Sequence, residues 1–461
     1  MSSTTNKKTK DLTTGKPYKV IIAFAVPILI GNLLQQVYNI TDSAIVGQFI
    51  GIEALAGVGS TGSLNFLIIG FVIGTCSGFG IPIAQSYGAK NYDNLRRYFT
   101  HAIYLGGTIS IILTVFTLLF VDEILVLMNT TEEMMPYAKT YISTIFAGIT
   151  GMFLYNLLSS VLRSVGDSKT PLYFLIGSAF SNVALDLLFV LVFNMGVFGT
   201  SLATVLSQTV SGIMCIILIN KKFDILKTVK KDWEFSMTHA KKMLYLGLPM
   251  GLQFSITAIG SVILQSSVNS LGTIAAASIS AGSRINAFTM KALETLGLAM
   301  ATFTGQNLGA GKFDRVTKGL IQTMLIGFGY SVVMFVVLFF TSDYLALILV
   351  SPEETEAIAN IKLFLLVNSA AYLINTLLHV FRNTIQGAGY SAVAMIAGVL
   401  EMCARIFVAY VLVGSFAYMG AILANPIAWS AAVVFLIPTY IVIIKRLKRM
   451  AANGELQKNY N

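Results

Sequence analysis

Two aspartates are the residues of this 461-residue chain best placed to do chemistry. Asp42 and Asp186 each fall inside a long apolar run, and the apolar runs of this half of the chain hold no Lys or Arg apart from Lys139, near the start of the run 137–162. A carboxylate at membrane depth without a basic partner either takes up a proton or recruits a cation, and either event can couple to movement. Polar residues accompany both. At about 100° per residue, Asn32, Gln35, Gln36, Asn39 and Asp42 share one side of a helix, a polar stripe on an apolar rod. Asn182 stands one helical turn before Asp186, Ser201, Thr204, Gln208 and Ser211 repeat that spacing in the next run, and Asn156 lies in the run before. The candidate coupling set is Asp42, Asn156, Asn182, Asp186 and Thr204, with a proton ranked ahead of a sodium ion.

The elements that must position these residues are membrane helices. Hydrophobic residues make up 55% of the chain and charged residues 11%, with a mean hydropathy of +0.76, far from the balance of a water-soluble domain. Crossing a hydrocarbon core of roughly 30 Å takes about 20 residues. About twelve runs qualify: 20–45, 57–82, 99–121, 137–162, 170–193, 198–220, 243–268, 275–303, 319–341, 358–381, 392–413 and 418–444. Backbone groups in lipid must bond internally, so the expected fold class is an all-α polytopic membrane protein.

The chain also repeats itself. AQSYGAKNYDNLRR near residue 84 returns as GQNLGAGKFDRVTK near 305, with Gln85/Gln306, Gly88/Gly309, Ala89/Ala310, Tyr92/Phe313 and Asp93/Asp314 in register at 306 − 85 = 221. Pro27/Pro249, Gly51/Gly272, Arg163/Arg382 and Gly199/Gly420 keep nearly that spacing. A duplicated half of hydrophobic helices predicts a transporter whose pathway lies between two pseudo-symmetric six-helix lobes. The expected layout is an N-terminal segment 1–19, a first lobe 20–220, a linker 221–242, a second lobe 243–445 and a tail 446–461.

Charge orients the layout. With the N-terminus inside, the net charge of +10 collects in the inner loops, which receive Lys90, Arg96, Arg97, Arg163, Lys169, Lys312, Arg315, Lys318 and Arg382, together with seven lysines of the linker and the basic tail. The opposite loops hold Asp122, Glu123, Glu132 and Glu133, and in the second half Asp343, Glu353, Glu354 and Glu356. The positive-inside rule then puts both termini in the cytoplasm and the protein in the cell membrane, and it explains the basicity without nucleic acid. The first eighteen residues are polar and lysine-bearing, so no cleaved signal peptide is expected.

Other chemistries find little support. Cys76, Cys215 and Cys403, and His101, His239 and His379, are too scattered for a disulfide framework, a metal site or a catalytic constellation. Gly57-Val58-Gly59-Ser60-Thr61-Gly62 fits G-x-G-x-x-G but follows no strand, and reads as close helix packing. Asn129-Thr130-Thr131 fits a glycosylation sequon in an outer loop. No Walker-type, H-E-x-x-H or G-x-S-x-G element occurs in a span. The expectation is a secondary transporter, not an enzyme, with no catalytic residues, metal or cofactor beyond the coupling ion.

The second half is not a chemical copy of the first. Counting 222 from Asp42 reaches Leu264 and 223 from Asp186 reaches Ala409, so neither carboxylate has a repeat partner. Glu401 with Arg405 at i,i+4 and Lys291 with Glu294 at i,i+3 suit helix-surface ion pairs and read as structural, while Arg284 stays unassigned. Coupling therefore belongs to the first lobe. Pro27 interrupts the helix that carries Asp42 and is a candidate hinge, although a static kink is an equal reading for it and for Pro249.

P-x4-N-x2-QQ-x2-N-x2-D in the first span, the duplicated Q-x2-GA-x3-[YF]-D, and RSVGDSKTP at 163–171 resemble the multidrug and toxin extrusion (MATE) transporters over nearly the whole chain. Asp42, Asn182, Asp186 and Thr204 match the first-lobe cation site of the DinF/MepA-like branch, and Pro27 its bending proline. The seventh-helix Glu and tenth-helix Asp of the NorM-like branch are absent; Gln253 stands in one, and Asn368, Asn375 and His379 in the other. The resemblance implies a V-shaped two-lobe antiporter exporting cationic or amphipathic compounds against inward H⁺ or Na⁺, with Na⁺ on the four matched residues as the alternative to a proton. Tyr38, Phe66, Tyr155, Phe288 and Met290 could give an adaptable, cation-friendly wall, joined by Gln35, Asn39 and Gln253 as cavity candidates. The expected partners are the bilayer and small organic cations or amphipathic drugs, and the expected working unit is a monomer. The alternative is a flippase for a lipid-linked saccharide, which would be expected to line its cavity with basic residues.

Overall fold

The computed structural model describes residues 11–128 and 130–453; Asn129 of the sequon and the ends of the N-terminal segment and tail lie outside the described residues. Among the described residues the chain is helical, without strands, as the hydropathy pattern requires. Two compact units result. One is Val26–Gly251; the other joins Leu12–Ala25 to the chain from Leu252 onward.

The first unit holds the greater part of α1 (Pro17–Phe49), then α2 (Ile52–Ser60), α3 (Gly62–Gly88), α4 (Tyr92–Leu119), α5 (Val121–Leu127), α6 (Met135–Ala147), α7 (Ile149–Ser164), α8 (Lys169–Leu187), α9 (Gly196–Lys222) and the start of α10 (Met237–Asn269). The second holds the rest of α10, then α11 (Thr273–Gly309), α12 (Phe313–Leu347), α13 (Thr355–Ala370), α14 (Tyr372–Gly387), α15 (Ser391–Phe407), α16 (Val413–Ile422) and α17 (Ala424–Ala452). α1 and α10 each change unit next to their internal prolines, Pro27 and Pro249.

Nine helices are long and apolar enough to cross a membrane, and two bent pairs, α6 with α7 at 51° and α13 with α14 at 48°, bring the number to eleven among the described residues. The remaining expected span, 275–303, is α11. Its 37 residues are ample for a crossing, but Arg284, Lys291 and Glu294 make it less apolar than the others.

The duplication survives in backbone detail. Gly51 and Gly272 open α2 and α11 with φ of +134° and +98°, a region that side chains disfavour. A π-helical turn follows α8 at Leu188–Val192 and α15 at Val408–Leu412, 408 − 188 = 220 residues apart. The 163–171 stretch closes α7 and opens α8: Gly166 takes φ +87°, and the Asp167 carboxylate accepts from the backbone N–H groups of Lys169 and Thr170, both at 3.0 Å.

Glycine sets how close the helices come. A Cβ on Gly148, at the α6–α7 bend, would meet Val205 of α9 at 2.3 Å, and one on Gly151 would meet Thr209 at 1.9 Å. Gly57 lies against Tyr137 of α6, where a Cβ would be 2.8 Å from the tyrosine Cβ, so within the G-x-G-x-x-G run the close packing falls to Gly57, while Gly59 and Gly62 face open space.

The repeated motif holds chain in both units. In the second unit, Gln306 Oε1 accepts from the Leu12 N–H (3.1 Å), Asn307 Nδ2 donates to Leu12 O (3.2 Å), and Arg315 donates to Gly15 O (2.6 Å) and Thr14 O (2.7 Å). In the first unit, Arg96 Nε donates to the buried Asp232 (2.9 Å), Thr100 Oγ1 donates to Asp232 O (2.6 Å), and Asn94 Oδ1 faces His239 Nε2 (2.9 Å). Each copy of the motif thus grips the polypeptide that leads into the first long helix of the other repeat.

Two assignments of charge change. Arg163 is in the last turn of α7 and Arg382 is buried within α14, not in inner loops. A long arginine in a helix end reads as a loop residue in sequence because its hydropathy ends the apolar run early.

Candidate functional site

Asp42 and Asp186 come together. α1 brings Tyr38 and Asp42, α8 brings Asn182 and Asp186, and α9 brings Thr204. The α1–α8 approach is close at Gly31, where a Cβ would sit 3.2 Å from Leu175. Asn182 and Asp186 are wholly buried and Thr204 is 6% exposed, while Asp42 is half-buried. The two carboxyl groups lie within hydrogen-bonding reach of one another, and the Tyr141 phenol of α6 is within electrostatic reach of both.

The hydroxyl of Thr204 is the hub. It accepts from Tyr38 Oη (3.0 Å) and from Asn182 Nδ2 (3.3 Å), and its own proton is shared between Asp42 Oδ2 (3.4 Å) and Thr200 O (3.1 Å). With two bonds in and one out, it has nothing further to give. Asp42 Oδ1, both Asp186 oxygens and Asn182 Oδ1 are then buried acceptors without a donor. Four oxygens, three from carboxylates and one from an amide, suit a hard cation or a proton held between the acids.

The MatE family profile matches residues 27–188 and 249–411, one stretch in each repeat and well over half the chain. The chain belongs to the MatE family. Members are secondary transporters, so this MatE protein is a transporter, not an enzyme, in a multi-pass membrane setting. It is 30% identical over 371 residues to probable multidrug resistance protein YoeA of Bacillus subtilis, across 77% of this chain and 78% of that one. It is 23% identical over 418 residues to multidrug export protein MepA of Staphylococcus aureus, across 90% and 91%. A solved structure described as the outward-facing conformation of a multidrug resistance MATE family transporter shares its fold, with a TM-score of 0.90 at 20% identity over 97% of this chain and 100% of that one.

Other candidates of the MatE protein fall elsewhere. Asn156 donates to Met152 O of its own helix at 2.8 Å. Tyr155 is buried and donates to Pro171 O (3.2 Å), and Phe66 is 49% exposed. Gln35 is half-buried and Asn39 exposed on α1. In the second unit Gln253 is buried and accepts from Gln386 Nε2 (2.7 Å), while Phe288 and Met290 are half-buried, the Met290 sulfur accepting from Asn286 (3.0 Å). Tyr38 stands with the carboxylates. Tyr141 escaped the sequence reading because nothing sets it apart from the chain's 19 tyrosines.

Proposed function

We propose that this protein is a cation-coupled multidrug efflux antiporter of the cell membrane, exporting cationic or amphipathic organic compounds by alternating access. The observation that carries the reading is the carboxylate pair, with three donorless buried oxygens of its own beside that of Asn182, and with no basic residue bonded to it among the described residues. Such a pair cannot keep two bare negative charges at low dielectric; a proton or a sodium ion completes it, the proton ranked first. Loading Asp42 or Asp186 lowers the local negative charge, weakens a bound organic cation and biases the protein toward the state that releases it outside. The names of YoeA and MepA agree with drug export. On this reading the lobes 20–220 and 243–445 move about α1 at Pro27, both termini face the cytoplasm and the monomer suffices. Carboxylates rather than basic residues at the first-unit site argue against a lipid-linked saccharide as cargo.

Ethidium export from cells or vesicles, with proton and sodium gradients collapsed separately, tests the proposal. Wild type should export dye under one gradient and Asp42→Asn should not. Export indifferent to both gradients, or full activity in the variant, would sink it.

A further inference from the structure

The second unit carries a buried charged cluster that the coupling pair does not involve. Arg382 of α14 and Arg405 of α15, each 6% exposed, both face Glu401, which is 2% exposed. Arg382 Nη2 bonds Glu401 Oε1 and Arg405 Nη2 stands 3.7 Å from Glu401 Oε2. Guanidinium groups keep their proton in proteins, so two positive charges meet one negative. Lys291 and Glu294, at 2.7 Å, cancel each other and offer no second acid, and Arg284 is exposed.

The excess charge has matching geometry. Arg382 Nε and Arg405 Nη1 are buried and bond to no protein acceptor. A buried donor left unpaired costs about 1–3 kcal/mol, more when charged, so native structures supply a partner. Water would satisfy the N–H groups but not the net charge; a small anion satisfies both. The cluster is the second unit's own: at the offset of 220 given by the π turns, Glu401 and Arg405 correspond to Ser181 and Leu185, while Arg382 alone has a basic counterpart close to that offset, in Arg163, 382 − 163 = 219 residues earlier. We propose that Arg382 and Arg405, flanking Glu401, form a binding site for one halide-sized monovalent anion.

Bromide is the probe. Melting of the purified protein is followed as NaBr replaces sodium gluconate at constant ionic strength, in wild type, Arg405→Gln and Glu401→Gln. Arg405→Gln leaves a neutral Arg382–Glu401 pair; Glu401→Gln raises the cluster from one net positive charge to two. The expected result is a rise of about 3 °C in Tm per tenfold bromide above its Kd in wild type. The rise should vanish in Arg405→Gln and begin at lower bromide in Glu401→Gln, a gain that a purely structural ion pair does not predict. Should Arg405→Gln not fold, Glu401→Gln decides alone. Equal melting in bromide and gluconate, the same bromide response with and without Glu401, or crystals grown in bromide that show water on these N–H groups and no anomalous peak, overturns the proposal.

Discussion

Asp186→Asn should stabilise this protein while disabling it. The substitution keeps the side chain's shape, replaces one of two neighbouring carboxyl groups by a permanently neutral amide and turns an acceptor oxygen into an N–H donor. In the wild type both Asp186 oxygens and Asp42 Oδ1 are buried without a donor. Two bare like charges at a generic separation of about 4 Å would repel by about 4 kcal/mol at an effective dielectric of 20, an upper bound on what the change can relieve. A hydrogen bond from the new amide to Asp42 would add about 1.5–3 kcal/mol, the worth of a bond to a charged group. At about 2 °C per kcal/mol this raises Tm by roughly 3–6 °C. The assay is thermal unfolding of purified wild type and variant in sodium-free buffer, beside ethidium export from vesicles holding equal amounts of each. Export should fall to background, because an amide neither takes up nor releases the coupling ion. A variant that melts well below wild type would mean that Asp186 answers a donor the structure does not place there, and retained gradient-driven export would remove Asp186 from the coupling pair; either result refutes the reasoning.

Within the Gly57–Gly62 run, Gly57→Ala should lower stability by about 1–3 kcal/mol, since its Cβ would press on Tyr137, while Gly59→Ala and Gly62→Ala, which meet nothing within 4 Å, should be neutral or slightly stabilising in a thermal melt. Arg315→Ala should speed amide exchange of residues 12–16 at least about tenfold and leave 228–236 unchanged, because it releases the Gly15 and Thr14 carbonyls. Asp232→Asn should do the reverse, loosening 228–236 alone as the Arg96 bond at 2.9 Å and the Val229 N–H bond at 2.8 Å weaken.

Much of the architecture is written in the chain. A lone aspartate in an apolar run has to be answered by something, so Asp42 and Asp186 stand out before any fold is known, and a repeated QxxGA…D motif fixes the two-fold organisation. Periodicity also shows that Asn182 and Asp186 share a face. Glu401 and Arg405 are neighbours on one helix and do interact.

Other features depend on which helix lies opposite. Nothing in sequence links Tyr38 to Thr204, or sends Asn156 back to its own helix while Asn182 reaches across to α9. Arg382, from an adjacent helix, turns a simple i,i+4 pair into a cluster with surplus charge. The sequence by itself determined the spans, the duplication and the residues too costly to bury alone, because transfer energy and helical period are local properties of the chain. The tertiary structure decided the partners, because a helix face acquires its chemistry only from the neighbour that small residues such as Gly31 and Gly151 allow to approach.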